Sequence, residues 1–326
     1  MTLPNFTYIR PKSLTDAVGH LQSPKARIHA GGTDLLGCLR DGVFIAEKLV
    51  CIGHLDKLNG IDRTPDGRVR IGALTPIAEL AASGLIQQSY PALAWGAAEV
   101  GSPQLRNQGT LGGNLCQKPR CWYYRGEFLC LRKGGNKCYA YDGENQYHCL
   151  LGGSVCFITH PSDTAPALVA YDAVIRVAGA KGFREVPAGK FHILPGENVE
   201  KETVLTPDEI VTEILLPPPV QGSRGSYRKV RARRSWDFAL AGVALALKFQ
   251  GEVVEQARVV LSGAAPIPWR SREAEEAITG KRLDGETAAR AAQAAVKDAR
   301  PLKNNGYKVP LFRGLIEEEL VRIRKA

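Results

Sequence analysis

Two periods alternate along the chain: short β-branched runs that fit strands, and the three-to-four spacing of amphipathic helices. Ser13-Leu14-Thr15-Asp16 has the form of a capping box and predicts a short helix through about residue 21. A strand is predicted around Arg27, Ile28 and His29, with others at 48–52 and 69–71 from their β-branched content. Helical spacing returns at 76–82 and 92–100, and again at 165–171, before strands at 173–178 and 211–216. Strand and helix repeated in this way mark an α/β or α+β domain.

Pro217-Pro218-Pro219 with Gly222 and Gly225 is the sharpest boundary in the chain. Beyond it, 226–231, 238–249 and 256–262 read as strands. The middle one is nearly continuous in apolar residues, which predicts burial on both faces. Helices follow at 272–278, 286–299 and 311–324. Strands followed by helices make a separate unit. The predicted fold class is therefore α+β, with one domain over 1–218 and a second over 222–326.

A chain of 326 residues, 44% hydrophobic and 23% charged, is an ordinary globular composition with room for a sizeable core. The first residues carry no charged-then-apolar leader, and the longest apolar run, 238–247, is too short to span a bilayer. The expected location is the cytoplasm, unless a partner with a signal carries a complex to the periplasm. The net charge of +10 predicts attraction for acidic partners. Its densest cluster, Arg224, Arg228, Lys229, Arg231, Arg233 and Arg234, lies in a strand-like segment with no nucleic-acid module around it. Phosphate or protein contacts are the preferred reading over nucleic acid.

Two glycine-rich loops stand out. Ala30-Gly31-Gly32-Thr33-Asp34-Leu35 follows a strand, and paired glycines allow positive φ and close approach of another group. Thr33 or Asp34 can cap the next helix, whose first N–H groups then face the loop and suit a pyrophosphate. A plain strand–turn–helix fits equally well. The second loop runs Leu105-Arg106-Asn107-Gln108-Gly109-Thr110-Leu111-Gly112-Gly113-Asn114. It lacks the Gly-Lys-Ser/Thr of a Walker loop and the glycine spacing of a Rossmann fingerprint. Thr110 and Asn114 offer side-chain donors, and Gly112 and Gly113 are expected to expose backbone N–H groups. Two such loops favour a dinucleotide over a simple inter-domain turn.

The second loop opens into cysteines at 116, 121, 130, 138, 149 and 156, six of the chain's eight. Cys38 and Cys51 read as small buried hydrophobes. No two of the six are closer than five residues, whereas zinc sites usually show close pairs. Thiolates scattered along an irregular loop suit a cubane iron–sulfur cluster. Zinc on four cysteines uses the same ligands, and spacing alone leaves both open.

The two loop motifs, together with Ser162-Asp163-Thr164-Ala165-Pro166-Ala167, resemble the FAD-binding subunit of the xanthine dehydrogenase, or molybdenum hydroxylase, family. The resemblance covers essentially the whole chain. It implies a two-part FAD-binding domain of the vanillyl-alcohol oxidase type, split near residue 55, then an α+β flavin-associated carboxy-terminal domain. It implies FAD held along Ala30, Gly31, Gly32, Thr33, Asp34 and Leu35, with the pyrophosphate on the backbone N–H groups of residues 31–34. Arg106, Asn107, Gly109, Thr110, Gly113 and Asn114 close the other side. Asp163 is expected on a polyol or ribose hydroxyl. Lys229 is expected near the flavin ring, the alternative being a surface charge on a basic strand.

Most members of that family lack the cysteine-rich insert, here at about 116–156. It is similar to that of aldehyde oxidoreductase and 4-hydroxybenzoyl-CoA reductase medium subunits, which carry a [4Fe–4S] cluster beside FAD, and is closer to the former. The similarity implies Cys121, Cys130, Cys138 and Cys156 as ligands and leaves Cys116 and Cys149 outside the set. The implied role is an electron-transfer subunit of a heterotrimeric enzyme. A large partner would hold molybdopterin and a small one two [2Fe–2S] clusters, and electrons would leave FAD to an external acceptor. Aldehyde oxidation is the expected reaction, with 4-hydroxybenzoyl-CoA reductase and xanthine dehydrogenase types as alternatives. No residue in the chain reads as a general base or nucleophile, so none is assigned as catalytic. The rivals are a stand-alone FAD oxidoreductase and, from another class, a zinc-stabilised basic binding protein.

Overall fold

The computed structural model describes residues 2–324, in which three sheets follow one another along the chain. Residues 1, 325 and 326, the outer ends of the two predicted domains, lie outside the described residues. The first sheet is parallel, with β1 (Thr7–Ile9), β2 (Ala26–His29) and β3 (Lys48–Cys51) in the order β1-β3-β2. Parallel strands need crossovers, supplied here by helices Leu14–His20 and Leu35–Arg40. The predicted cap is present: Ser13 Oγ accepts the Asp16 N–H at 3.1 Å, and the Asp16 carboxylate accepts the Lys12 N–H at 2.7 Å. That helix buries Ala17 and Val18 against Val50 and Ile52.

The second sheet is antiparallel, with β4 (Ile61–Arg63), β5 (Val69–Gly72), β6 (Val174–Gly179), β7 (Gly182–Pro187) and β8 (Ile210–Leu216) in the order β4-β5-β8-β6-β7. Its apolar face meets helices Ile77–Ala82, Pro91–Ala98 and Thr164–Ala170 in the largest core. The edge strands β4 and β7 carry no hydrophobic signature in the sequence. Nearly every residue of β7 is exposed, as edge strands tend to be.

The third sheet, β9 (Ser223–Val230), β10 (Ala241–Gln250), β11 (Val253–Ser262) and β12 (Trp269–Arg270), is antiparallel in the order β12-β11-β10-β9. Here β10 shows why its sequence is apolar throughout. Val243, Leu245 and Leu247 face a core shared with helices Arg272–Ile278, Gly285–Ala295 and Lys308–Ile323. Ala244, on the other face, joins the core of the second sheet. The strand is the seam between the two units, buried on both sides as predicted.

Half of the basic cluster is paired with carboxylates of this chain. Arg228 pairs with Glu318 and Arg231 with Glu99. Arg224 donates to the carbonyls of Ile323 and Arg324, and Arg233 donates to the Trp236 carbonyl. Lys229 is fully buried on Asp163. Among the described residues no helix is long and apolar enough to cross a membrane.

Candidate functional site

The loops of all three sheets converge on one cavity of about 660 Å³, within the roughly 300–1,000 Å³ typical of cofactor sites. Residues 27–44 form one wall, 100–114 the opposite one, and 116–125 of the cysteine-rich segment a third. Asp163 lies at its inner end, and Trp236, Asp237 and Phe238 line it from the third unit.

The first glycine loop has the geometry its sequence implies. Gly32 sits at φ +72°, the left-handed region that glycine enters without a Cβ penalty. Gly31 has a different reason to be glycine: a Cβ there would be driven into the Gln108 carbonyl, so the two loops touch backbone to backbone. Among the described residues no intramolecular acceptor takes the N–H groups of Gly31, Gly32, Thr33 or Asp34. They form a run of free donors along the cavity, the arrangement that binds an anion.

Asp34 departs from the expectation. It stands at the N-cap of helix Leu35–Arg40 but makes no side-chain cap bond, and neither does Thr33. Its carboxylate reaches the cysteine-rich segment instead, pairing with Arg120 and with Arg125 at 2.8 Å and accepting the Lys118 N–H at 2.7 Å. Burial alone would raise its pKa; the two guanidiniums and the Lys118 N–H outweigh burial and hold it below the usual value. The clamp thus ties the first glycine loop to the helix Trp122–Arg125 that begins beside Cys121.

The second loop is a correction. Residues Leu111–Leu115 form a short helix, capped by Thr110 Oγ1 on the Gly113 N–H. The Gly112 N–H donates to Ala73 O at 2.8 Å. Neither glycine therefore offers the free N–H that was expected. Gly112 serves packing: a Cβ there would meet that of Ala73 at 2.9 Å. Asn114 Oδ1 accepts from Ser162 and from Thr164, at 2.5 and 2.7 Å, and pins the helix to the Ser162–Thr164 turn.

Of the predicted flavin residues, Ala30, Gly31, Gly32, Thr33, Asp34, Leu35, Gly109, Thr110, Gly113, Asn114 and Asp163 line the cavity. Arg106, Asn107 and Lys229 do not. Helix Pro103–Gln108 turns Asn107 to solvent and lets Arg106 donate to Val100 O at 2.9 Å. Lys229 Nζ is 2.7 Å from Asp163 Oδ2, and Tyr227 donates to Asp163 Oδ1 at 2.7 Å. Lys229 is thus neither a surface charge nor part of the cavity wall. It docks β9 of the third unit onto the flavin-side turn. Sequence reasoning missed Arg120, Arg125, Tyr227 and the 236–238 wall, since each depends on a contact far away in the chain.

The cysteine-rich segment is irregular, apart from the helix Trp122–Arg125 and a turn at Leu131–Lys133. All eight cysteines are unpaired thiols. Cys138 and Cys156 are neighbours whose thiols influence one another. Cys121 feels both Cys138 and Cys130, and its sulfur is 3.3 Å from His148 Nε2. Backbone N–H groups a few residues on point at these sulfurs: Tyr123 and Tyr124 at Cys121, Ala140 and Tyr141 at Cys138, and Ile158 at Cys156. The neighbouring Cys156 thiol is the largest influence on Cys138, and with those N–H groups it pulls Cys138 below its ordinary value. Cys121 is pushed up to about 11, chiefly by burial. Cys116 and Cys149 are pushed up to about 12 by burial and receive no such downstream N–H. Among the described residues no three His, Cys, Asp or Glu side chains are grouped for a single metal ion.

Comparison with known proteins accounts for this layout. Residues 4–126 and 146–219 match the FAD binding domain in molybdopterin dehydrogenase, and 226–322 match the CO dehydrogenase flavoprotein C-terminal domain. The match skips 127–145, which hold Cys130 and Cys138. The chain is 36% identical to the aldehyde oxidoreductase FAD-binding subunit PaoB of Escherichia coli, over 84% of this chain and 86% of that one. It is 30% identical to the carbon monoxide dehydrogenase medium chain of Hydrogenophaga pseudoflava, over 93% and 90%. A solved carbon monoxide dehydrogenase from Hydrogenophaga pseudoflava, lacking the Mo-pyranopterin moiety, superposes with a TM-score of 0.79 at 27% identity over 99% of both chains. With its anion-binding glycine loop, flavin-sized cavity and both family domains in order, the chain belongs to the FAD-binding medium subunits of the xanthine dehydrogenase/CO dehydrogenase family of oxidoreductases.

Proposed function

We propose that this subunit holds FAD and one [4Fe–4S] cluster and carries electrons within a heterotrimeric molybdenum hydroxylase that oxidises an aldehyde. A large molybdopterin subunit and a small [2Fe–2S] subunit are the partners in this reading, and an external acceptor takes the electrons. The aldehyde class is supported by the likeness to the aldehyde oxidoreductase subunit. Eight unpaired cysteines favour a reducing compartment, in line with the cytoplasm. Once bound, FAD supplies hydride and single-electron chemistry and the cluster single-electron transfer.

The chain's own residues hold and separate these groups. The free N–H groups of residues 31–34 bind the pyrophosphate. Gly109, Thr110, Gly113 and Asn114 form the facing wall, and Asp163 retains lone pairs for a cofactor hydroxyl beyond its bonds to Tyr227 and Lys229. Cys121, Cys130, Cys138 and Cys156 are the four ligands. One observation supports this choice: backbone N–H groups of the residues that follow lie beside the sulfurs of Cys121, Cys138 and Cys156, and Cys121 is within electrostatic reach of both Cys130 and Cys138. Such bonds stabilise a thiolate, the form in which cysteine binds a metal. The Asp34 clamp sets the cysteine-rich wall against the flavin loop.

The test is a set of single Cys→Ser variants, read by iron content and by electron paramagnetic resonance after reduction. Serine at 121, 130, 138 or 156 is expected to abolish the cubane signal, and serine at 116 or 149 to leave it. Loss with Cys149→Ser and retention with Cys156→Ser would show the fourth ligand to be wrong.

A further inference from the structure

Arg132 stands out among the buried cations of the chain. Its side chain is 2% exposed. Nη2 pairs with Glu202, while Nε and Nη1 are buried with no hydrogen-bond partner among the described residues. A buried guanidinium normally saturates its five donors, because an unmade bond there keeps the whole desolvation cost. Glu202 is shared between Arg132 and Lys118, so Arg132 has no carboxylate to itself. Unmade donors on a buried cation call for an acceptor, and an anionic one makes the stronger bonds.

The surroundings say where that anion belongs. Arg132 lies two residues after Cys130, on a turn fixed by the Lys133 and Gly135 N–H groups donating to Cys130 O at 2.8 and 3.0 Å. Its guanidinium lies 5.7 Å over the ring of Tyr124, which belongs to the same apolar cluster as Cys130 and Cys121. It is also close enough to Cys156 for a thiolate there to favour its charged form. Arg132 therefore sits in the neighbourhood of three of the four proposed ligands. A cubane on four thiolates is an anion whose sulfur atoms accept hydrogen bonds, and such bonds set its potential.

We infer that Arg132 is a positioning residue for the iron–sulfur cluster: Nε–H and Nη1–H donate to its sulfur atoms, and the guanidinium charge raises its reduction potential. This rests on the cluster reading above. Reduction adds negative charge, which a fixed neighbouring cation favours, so removing Arg132 should make the cluster harder to reduce while the flavin is little changed.

The experiment is a redox titration of the full-length protein, purified anaerobically and followed by electron paramagnetic resonance for the cluster and by absorbance for the flavin. In Arg132→Gln the cluster midpoint is expected to move to more negative potential, with flavin midpoints and FAD content as in the parent. In Glu202→Gln, which removes the ion pair but keeps the donors, it is expected to stay or move to more positive potential. If Arg132→Gln holds no iron, Arg132→Lys, which keeps the charge but not the fork, is titrated instead, and a smaller negative shift is expected. An iron-loaded Arg132 variant with an unshifted midpoint overturns the inference and leaves the cluster reading intact. Equal loss of iron in the Arg132→Gln, Arg132→Lys and Glu202→Gln variants marks a merely structural ion pair and also overturns it. Parent protein without iron overturns the cluster reading itself.

Discussion

The backbone contact between the two glycine loops can be probed with one methyl group. In Gly31→Ala the added Cβ would lie 2.9 Å from the Gln108 carbonyl carbon and closer still to its oxygen. Carbon atoms settle roughly 3.5–4.0 Å apart, so the loops must part by about 0.6–1.1 Å. Backbone on both sides leaves no flexible side chain to absorb the shift. A displacement of that size takes a 2.9 Å hydrogen bond out of range. If one N–H-to-phosphate bond is lost, the cost is about 1.5–3 kcal/mol, which is roughly a 10- to 150-fold rise in the Kd for FAD. The assay is titration of deflavinated protein with FAD, beside thermal unfolding of the same sample. Gly84→Ala is the control, because a Cβ there meets nothing within 4 Å. A Gly31→Ala protein that binds FAD as tightly as its parent would refute the assignment of residues 31–34 to the phosphates.

Lys229→Met leaves the Asp163 carboxylate, 3% exposed, without its cation. Breaking a buried pair in this way costs about 3–5 kcal/mol, to be read as a lower urea midpoint, and the Asp163→Asn/Lys229→Met double variant should recover part of it. An unchanged midpoint in the single variant would contradict the docking role. The buried pair His160 and His192, with ring centroids 4.1 Å apart and planes tilted by 55°, predicts acid sensitivity. Burial holds His160 well below its ordinary value and His192 down to about 4. Unfolded, both rings take up protons below about pH 6.5; folded, they stay neutral to far lower pH. Stability is thus full above pH 6.5 and falls by roughly 1.4 kcal/mol per pH unit for each ring as the pH drops toward 4. The check is urea unfolding between pH 7 and 5 in the parent and in His160→Phe, whose dependence should be shallower; identical slopes would count against it.

What the sequence made legible was local. The Ser13 cap, the strand–loop–helix around Gly31 and Gly32, and the two-sided burial of β10 each follow from neighbouring residues. The helix Leu111–Leu115 was read as a loop because two glycines are poor helix formers, and packing of Gly112 on Ala73 overrides that weak preference. Edge strands β4 and β7 lacked apolar alternation because they have little to bury. Asp34 looked like a cap because it stands at a helix start. Its partners lie more than 80 residues away, and no spacing rule reports them. The same holds for Lys229 with Asp163, and for Arg132, whose missing partners are visible only once the chain is folded.

The central claim is that a flavin and a cubane share this one chain, and composition tests it most directly. Protein purified without oxygen should be assayed for FAD, iron, acid-labile sulfide and zinc per polypeptide. The account predicts one FAD with four iron and four sulfide, the content of one cubane, and zinc at background. FAD with no iron, or zinc in place of iron and sulfide, would contradict it.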